Sequence, residues 1–253
     1  MTKVMPGNMM VEPSRKTSMN SVKLEDKEGP CFDLDTLVKA ATIGLPKCEE
    51  IISDYSEVHK DGVSIFNRMW TCRGLRKIHL ERAITPKVEI LHSVFWPDPE
   101  YNLPIFGMDI VVAGNKVTAA IVDISPVHGT EDMKRYGELS EISSRYNFSG
   151  IRHLPEWGDV FSPFCKFQRL ETSDDIYKFY SCCQEYIKVY TQMVRESEHD
   201  FEWIDIMKRY DDQLHYVNQQ RKNTKTKAVL SQWFDNDWAD TYIEQVLFDK
   251  PKL

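Results

Sequence analysis

Two short stretches constrain the fold most: VEILHSVFW at 88–96 and PIFGMDIVV at 104–112. Both alternate as strands do, and both are apolar on each face. In the first, Val88, Ile90 and Val94 share one face, and Leu91 and Phe95 share the other. A sheet that is apolar on both sides must be covered on both sides. Turn chemistry separates the strands: Thr85-Pro86-Lys87, then Pro97-Asp98-Pro99 with Asn102, then Gly114-Asn115-Lys116. Strands are therefore expected at 75–84, 87–96, 104–113 and 117–125, as an antiparallel meander. FCKFQRL at 164–170 is a further strand candidate. The expected class is α/β, a three-layer α/β/α sandwich with a central antiparallel sheet.

The covering helices are read from periodicity. Leu34, Leu37, Val38 and Ala41 repeat at three and four residues, and a second helical stretch, Cys48 to Tyr55, follows Pro46. Further helices are expected at 131–146 and near 173–197, 200–222 and 225–247. Residues 1–30 read as a polar tail and residues 31–253 as a single domain.

Composition excludes several function classes. The 253 residues carry 32 basic and 39 acidic side chains, a net of −7, which argues against general nucleic-acid binding. The six cysteines form no C-x-x-C pair, so a zinc ribbon or thioredoxin-type site is not expected. No apolar run approaches the roughly 20 residues of a membrane helix. Pro6, Gly7, Asn8 and Glu12 interrupt the place of a signal peptide, while the scarcity of acids there leaves a plastid transit peptide open.

Polar residues break the apolar pattern at informative positions. His92 lies in one two-faced strand and Asp109 in the other. Burying an unpaired carboxylate costs several kcal/mol or raises its pKa, on the order given by transfer energies. If the 97–104 loop closes symmetrically, His92 stands directly opposite Asp109. If Pro86 and Lys87 centre the preceding turn, Glu81 faces His92 from the other side. His79 points the same way. Three ionisable groups then line up across three strands, with opposed Cβ atoms about 5 Å apart. Such a row can donate protons to a flat or elongated ligand. Two other readings stay open: a buried ion network, and a two-histidine, one-carboxylate iron site of His79, His92 and Asp109.

These residues also carry a resemblance. The stretch RKIHLERA…VEILHSVFWPDPEYNLPIFGMDIVVAGNKVTAAIVDISP resembles the ferredoxin-dependent bilin reductases. LPEWGDVFSPFC, LHYVNQQRKNTKTKAVL and WADTYIEQVLFD extend the likeness. It implies an α/β/α sandwich that reduces biliverdin IXα with electrons from reduced 2Fe–2S ferredoxin and binds no cofactor or metal itself. It implies that Asp109 is the central proton donor, that His92 works with it, and that Glu81 serves the outer vinyl group of the D ring. His79 matches a supporting histidine. The joint presence of Glu81, His92 and Asp109 favours four-electron reduction to phycocyanobilin. The alternatives are a relative making phycoerythrobilin and a non-catalytic bilin-binding protein.

By the same resemblance, Arg152 and Lys225 anchor the bilin propionates, and Gln220 and Asn223 line the pocket. Thr118 stands where relatives often have a propionate-binding serine, but the hairpin register turns it away from Asp109. Acidic ferredoxin would dock on Arg221, Lys222, Lys225 and Lys227, with Arg73, Arg76 and Lys77 as a second basic group. A monomer is expected, located in the cytoplasm of a cyanobacterial-type cell or in a plastid stroma.

Overall fold

A computed structural model describes residues 28–131 and 134–253. The expected tail therefore lies almost wholly outside the described residues, and its last residue, Pro30, already opens the first helix. In chain order the elements are α1 (Pro30–Ile43), β1 (Glu49–Ile51), β2 (Glu57–Lys60), β3 (Val63–Cys72), β4 (Leu75–Ile84), β5 (Val88–Pro97), β6 (Ile105–Ala113) and β7 (Lys116–Ser125). There follow α2 (Lys134–Arg145), β8 (Lys166–Leu170), α3 (Ser173–Glu196), α4 (Trp203–Gln220), α5 (Thr224–Trp233) and α6 (Asn236–Tyr242). The strands make one antiparallel sheet in the order β1-β3-β4-β5-β6-β7-β8, with β2 also paired to β3.

Helices cover both faces, as the two-faced strands require. On one face α1, α2 and α3 pack Leu34, Leu139, Phe179 and Tyr190 against Ile78, Leu91, Phe95 and Phe106. On the other, α4, α5 and α6 pack Val217, Leu230 and Tyr242 with Ile65, Ala83, Val94 and Trp96. Leu91 and Val94 thus enter different cores, as strand alternation dictates. Thr172 and Asp175 form a capping box that starts α3.

Two expectations are corrected. Cys48–Tyr55 is not helical: Glu49–Ile51 is an edge strand paired with Met69–Thr71, followed by a turn in which Ser53 Oγ accepts from Tyr55 N–H. Strand β3, unassigned in the sequence reading, supplies the partner that decides this. It arises from a hairpin whose Asp61-Gly62 turn has φ of 49° and 83°, the left-handed pair that a two-residue turn needs. The helix expected over 225–247 is broken: α5 ends at Trp233, and Asp235 accepts from Trp238 N–H to cap α6. The chain then runs into a π-helical turn, Ile243–Leu247.

Candidate active site

The register forms the expected row. Glu81 pairs with His92, and His92 pairs with Asp109. All three project to the face covered by α4, α5 and α6, and they line a cavity of about 820 Å³. That size suits a small-molecule ligand. Its apolar walls include Trp157, Phe161, Tyr216, Trp233 and Phe248.

His92 Nδ1 lies 2.5 Å from Asp109 Oδ1. The Asp109 side chain keeps 42% of its surface open and His92 only 13%, so the carboxylate meets the cavity and the imidazole stands behind it. Burial works against a charged His92, but the Asp109 carboxylate and its hydrogen bond carry its pKa above the ordinary value. Glu81 is 5% exposed. Burial pushes its pKa up, and the charge on His92 and the bond to Tyr242 offset only part of that rise.

His79 is fully buried and does not line the cavity. Burial first, then the charges of Lys77 and His92, lower its pKa far below the ordinary range, so it is a neutral imidazole. Its Nε2 bonds Asn67 Oδ1 at 2.8 Å, and its ring lies 5.8 Å from that of His92. The two-histidine iron reading is not supported: Nε2 of His79 is committed to Asn67, and among the described residues no group of three or more His, Cys, Asp or Glu side chains could hold a metal ion.

The proposed anchors reach the cavity rim. Arg152, Gln220, Asn223 and Lys225 all line it. Arg152 donates to the Thr118 carbonyl at 2.5 Å and lies over the Phe167 ring, which holds its guanidinium in place. Thr118 itself does not line the cavity; its hydroxyl donates to Val111 O beside a bulge in β6–β7. Asn223 caps α5, accepting from the amides of Lys225 and Thr226. That places the exposed Lys225 in the first turn of α5.

The basic groups divide in two. Arg76 bonds Asp249, and Lys77, buried beside it, bonds both Asp249 and the Val246 carbonyl. Burial lowers Lys77 to about 8, although Asp249 opposes the shift. These side chains fasten the C-terminal segment, which brings Phe248 to 5.7 Å from the His92 ring. Arg221 is likewise tied, to the Glu244 and Phe248 carbonyls. Lys227 makes an exposed ion pair with Asp240 at 2.6 Å.

Four groups at or behind the cavity are absent from the sequence reading. Asn67 lies on the unassigned β3, and Tyr242 on a segment read as unbroken helix. Phe248 reaches His92 only through the C-terminal fastening. Asp123, 1% exposed, lines the cavity and accepts from Ser125 Oγ at 2.6 Å and Ser162 N–H at 2.9 Å. Its place in β7 opposite Gly107 repeats the alternation that exposed Asp109, which is the signal that could have found it.

Comparison with known proteins follows the same lines. Residues 41–249 match the model of the ferredoxin-dependent bilin reductase family. A phycocyanobilin:ferredoxin oxidoreductase of Synechococcus sp. (strain CC9902) is 39% identical over 237 residues, covering 88% of this chain and 96% of that protein. One from Gloeobacter violaceus is 38% identical over 198 residues, 78% of each chain. In three dimensions, a crystal structure of tomato phytochromobilin synthase in complex with biliverdin superposes with a TM-score of 0.70 at 16% identity, over 85% of this chain and 81% of that one.

Proposed function

The chain belongs to the ferredoxin-dependent bilin reductases, a family of oxidoreductases, and on that premise we propose that it reduces biliverdin IXα to phycocyanobilin by four electrons. The observation that carries this reading is the Glu81–His92–Asp109 row at the cavity surface, with Arg152 and Lys225 at its rim. The cavity accepts a long, mostly apolar ligand, and two cations at the rim suit its two carboxylates. Reduced 2Fe–2S ferredoxin delivers electrons singly, and each pair is matched by two protons. The proton shared by His92 and Asp109, 2.5 Å apart, passes to the bound tetrapyrrole through Asp109, the most open acid of the row, and leaves the pair one proton poorer. Glu81, buried at the far end of the row, serves the D-ring vinyl group. Docking of acidic ferredoxin uses the exposed Lys222 and Lys227, since Arg221 is engaged within the fold.

The test is anaerobic incubation with biliverdin IXα and reduced ferredoxin, followed by chromatography of the product. Phycocyanobilin supports the reading. Phycoerythrobilin moves the chain to another branch of the family, and binding without bleaching makes it a bilin-binding protein.

A further inference from the structure

The Glu81 carboxyl is not an isolated acid. The Tyr242 hydroxyl lies 2.5 Å from Glu81 Oε2 and 2.8 Å from Asn67 Oδ1. The same Asn67 Oδ1 is 2.8 Å from His79 Nε2. The Tyr242 ring is pinned, stacked on Trp238 at 4.6 Å and met edge-on by Tyr55 at 5.7 Å.

Proton counting decides how this chain runs. Asn67 Nδ2 donates to the Tyr55 carbonyl at 2.7 Å, which fixes the amide so that its oxygen faces Tyr242 and His79. That oxygen can accept from both, but it cannot donate. The phenol has one proton and two oxygen neighbours within hydrogen-bond reach. If Glu81 were a carboxylate, Tyr242 would donate to it, and the phenol oxygen would face Asn67 Oδ1 at 2.8 Å with no hydrogen between two sets of lone pairs. If Glu81 carries a proton, each contact along the chain has one hydrogen: Glu81 donates to Tyr242, Tyr242 to Asn67, and His79 Nε2–H to Asn67.

We propose that Tyr242 and Asn67 are positioning residues that hold Glu81 as a neutral carboxylic acid and His79 as the Nε2–H tautomer. The burial of Glu81 and the neutrality of His79 run the same way. The chain joins the glutamate to the histidine pair from behind the cavity, so no ligand need be bound for the proton to be in place. The placement of the proton follows from geometry alone; its delivery to the D ring rests on the function proposed above.

Infrared spectroscopy of the full-length apoprotein at pH 7, with labelled glutamate carboxyls, tests this without substrate or ferredoxin. The wild type is expected to show a protonated carboxyl C=O band that disappears in Glu81→Gln. In the nearly isosteric Tyr242→Phe, the acid loses its acceptor and the band is expected to move to higher wavenumber. In Asn67→Leu, Tyr242 is freed to donate to Glu81, and the titration midpoint of the band is expected to fall. A wild-type Glu81 carboxylate, an unmoved band in Tyr242→Phe or an unmoved midpoint in Asn67→Leu would overturn the proposal. If the band behaves as expected but biliverdin is not reduced, the proton chain stands and only the function proposed above fails.

Discussion

His92 Nδ1 stands 2.5 Å from Asp109 Oδ1 across the β5–β6 ladder, with the carboxylate open to the cavity and the imidazole enclosed. The pair differs by exposure: the carboxylate meets the cavity, and the imidazole is shielded from it. Because the folded pKa of His92 is raised, its protonation stabilises the fold fully below the unfolded value of 6.5. That contribution is lost as pH rises through the folded pKa.

Asp109→Asn is expected to bind biliverdin nearly as well as the wild type and to lose turnover by roughly 10²–10⁴-fold, the usual weight of a positioned general acid. The amide keeps the size of the side chain and cannot take a proton from His92 and pass it on. Visible absorbance reports binding, and bleaching with reduced ferredoxin reports turnover. Wild-type turnover in this variant would remove Asp109 from the proton path.

Neutralising the rim should affect binding first. Arg152→Gln is expected to weaken biliverdin affinity by about tenfold, within the range of charged hydrogen bonds. Lys225→Gln should cost less because the lysine is exposed. Equilibrium titration, with kcat measured at saturating bilin, separates this from an effect on chemistry.

Lys222→Glu is expected to raise the apparent KM for ferredoxin and to flatten its salt dependence, with the melting temperature unchanged. Arg221→Ala should lower that temperature, because the guanidinium holds the Glu244 and Phe248 carbonyls. Steady-state kinetics over a salt series and thermal melts check the two together. Unchanged ferredoxin kinetics in Lys222→Glu would move the docking site elsewhere.

His79 titrates in the opposite sense to His92. Its folded pKa is depressed, so the unfolded chain takes up a proton that the folded chain refuses. Its contribution is fully present above 6.5 and is lost as pH falls below that value, at a slope of at most about 1.4 kcal/mol per pH unit. Urea unfolding of the wild type and His79→Gln at a series of pH values should show the variant gaining relative stability below pH 6.5. A pH-independent difference would mean that His79 is not held neutral.

The central sheet and the row upon it were legible because both depend on local patterning. Alternation assigned the faces of 88–96 and 104–112, and the assumption of symmetric hairpin closure, which the register meets, set Glu81, His92 and Asp109 in line. Helical periodicity could not distinguish Cys48–Tyr55 from an edge strand, since the outcome depended on β3 lying beside it. The Asp61-Gly62 turn was a readable signal for that hairpin. The break after Trp233 carries no glycine or proline, so only the Asp235 cap reveals it.

The amino-acid order by itself determined which residues could share a sheet face, because side-chain direction in a strand has a period of two and a tight turn leaves little freedom of register. It also determined that both faces needed cover, because both were apolar. The tertiary structure alone decided what surrounds the row. Tyr242 lies 161 residues from Glu81 in sequence and 2.5 Å from it in space. Arg76 and Lys77 read as surface charge, yet they fasten Asp249 and bring Phe248 against His92. Pairings of that span follow from how helices settle on the sheet, a sum of many packing contacts that no local pattern encodes.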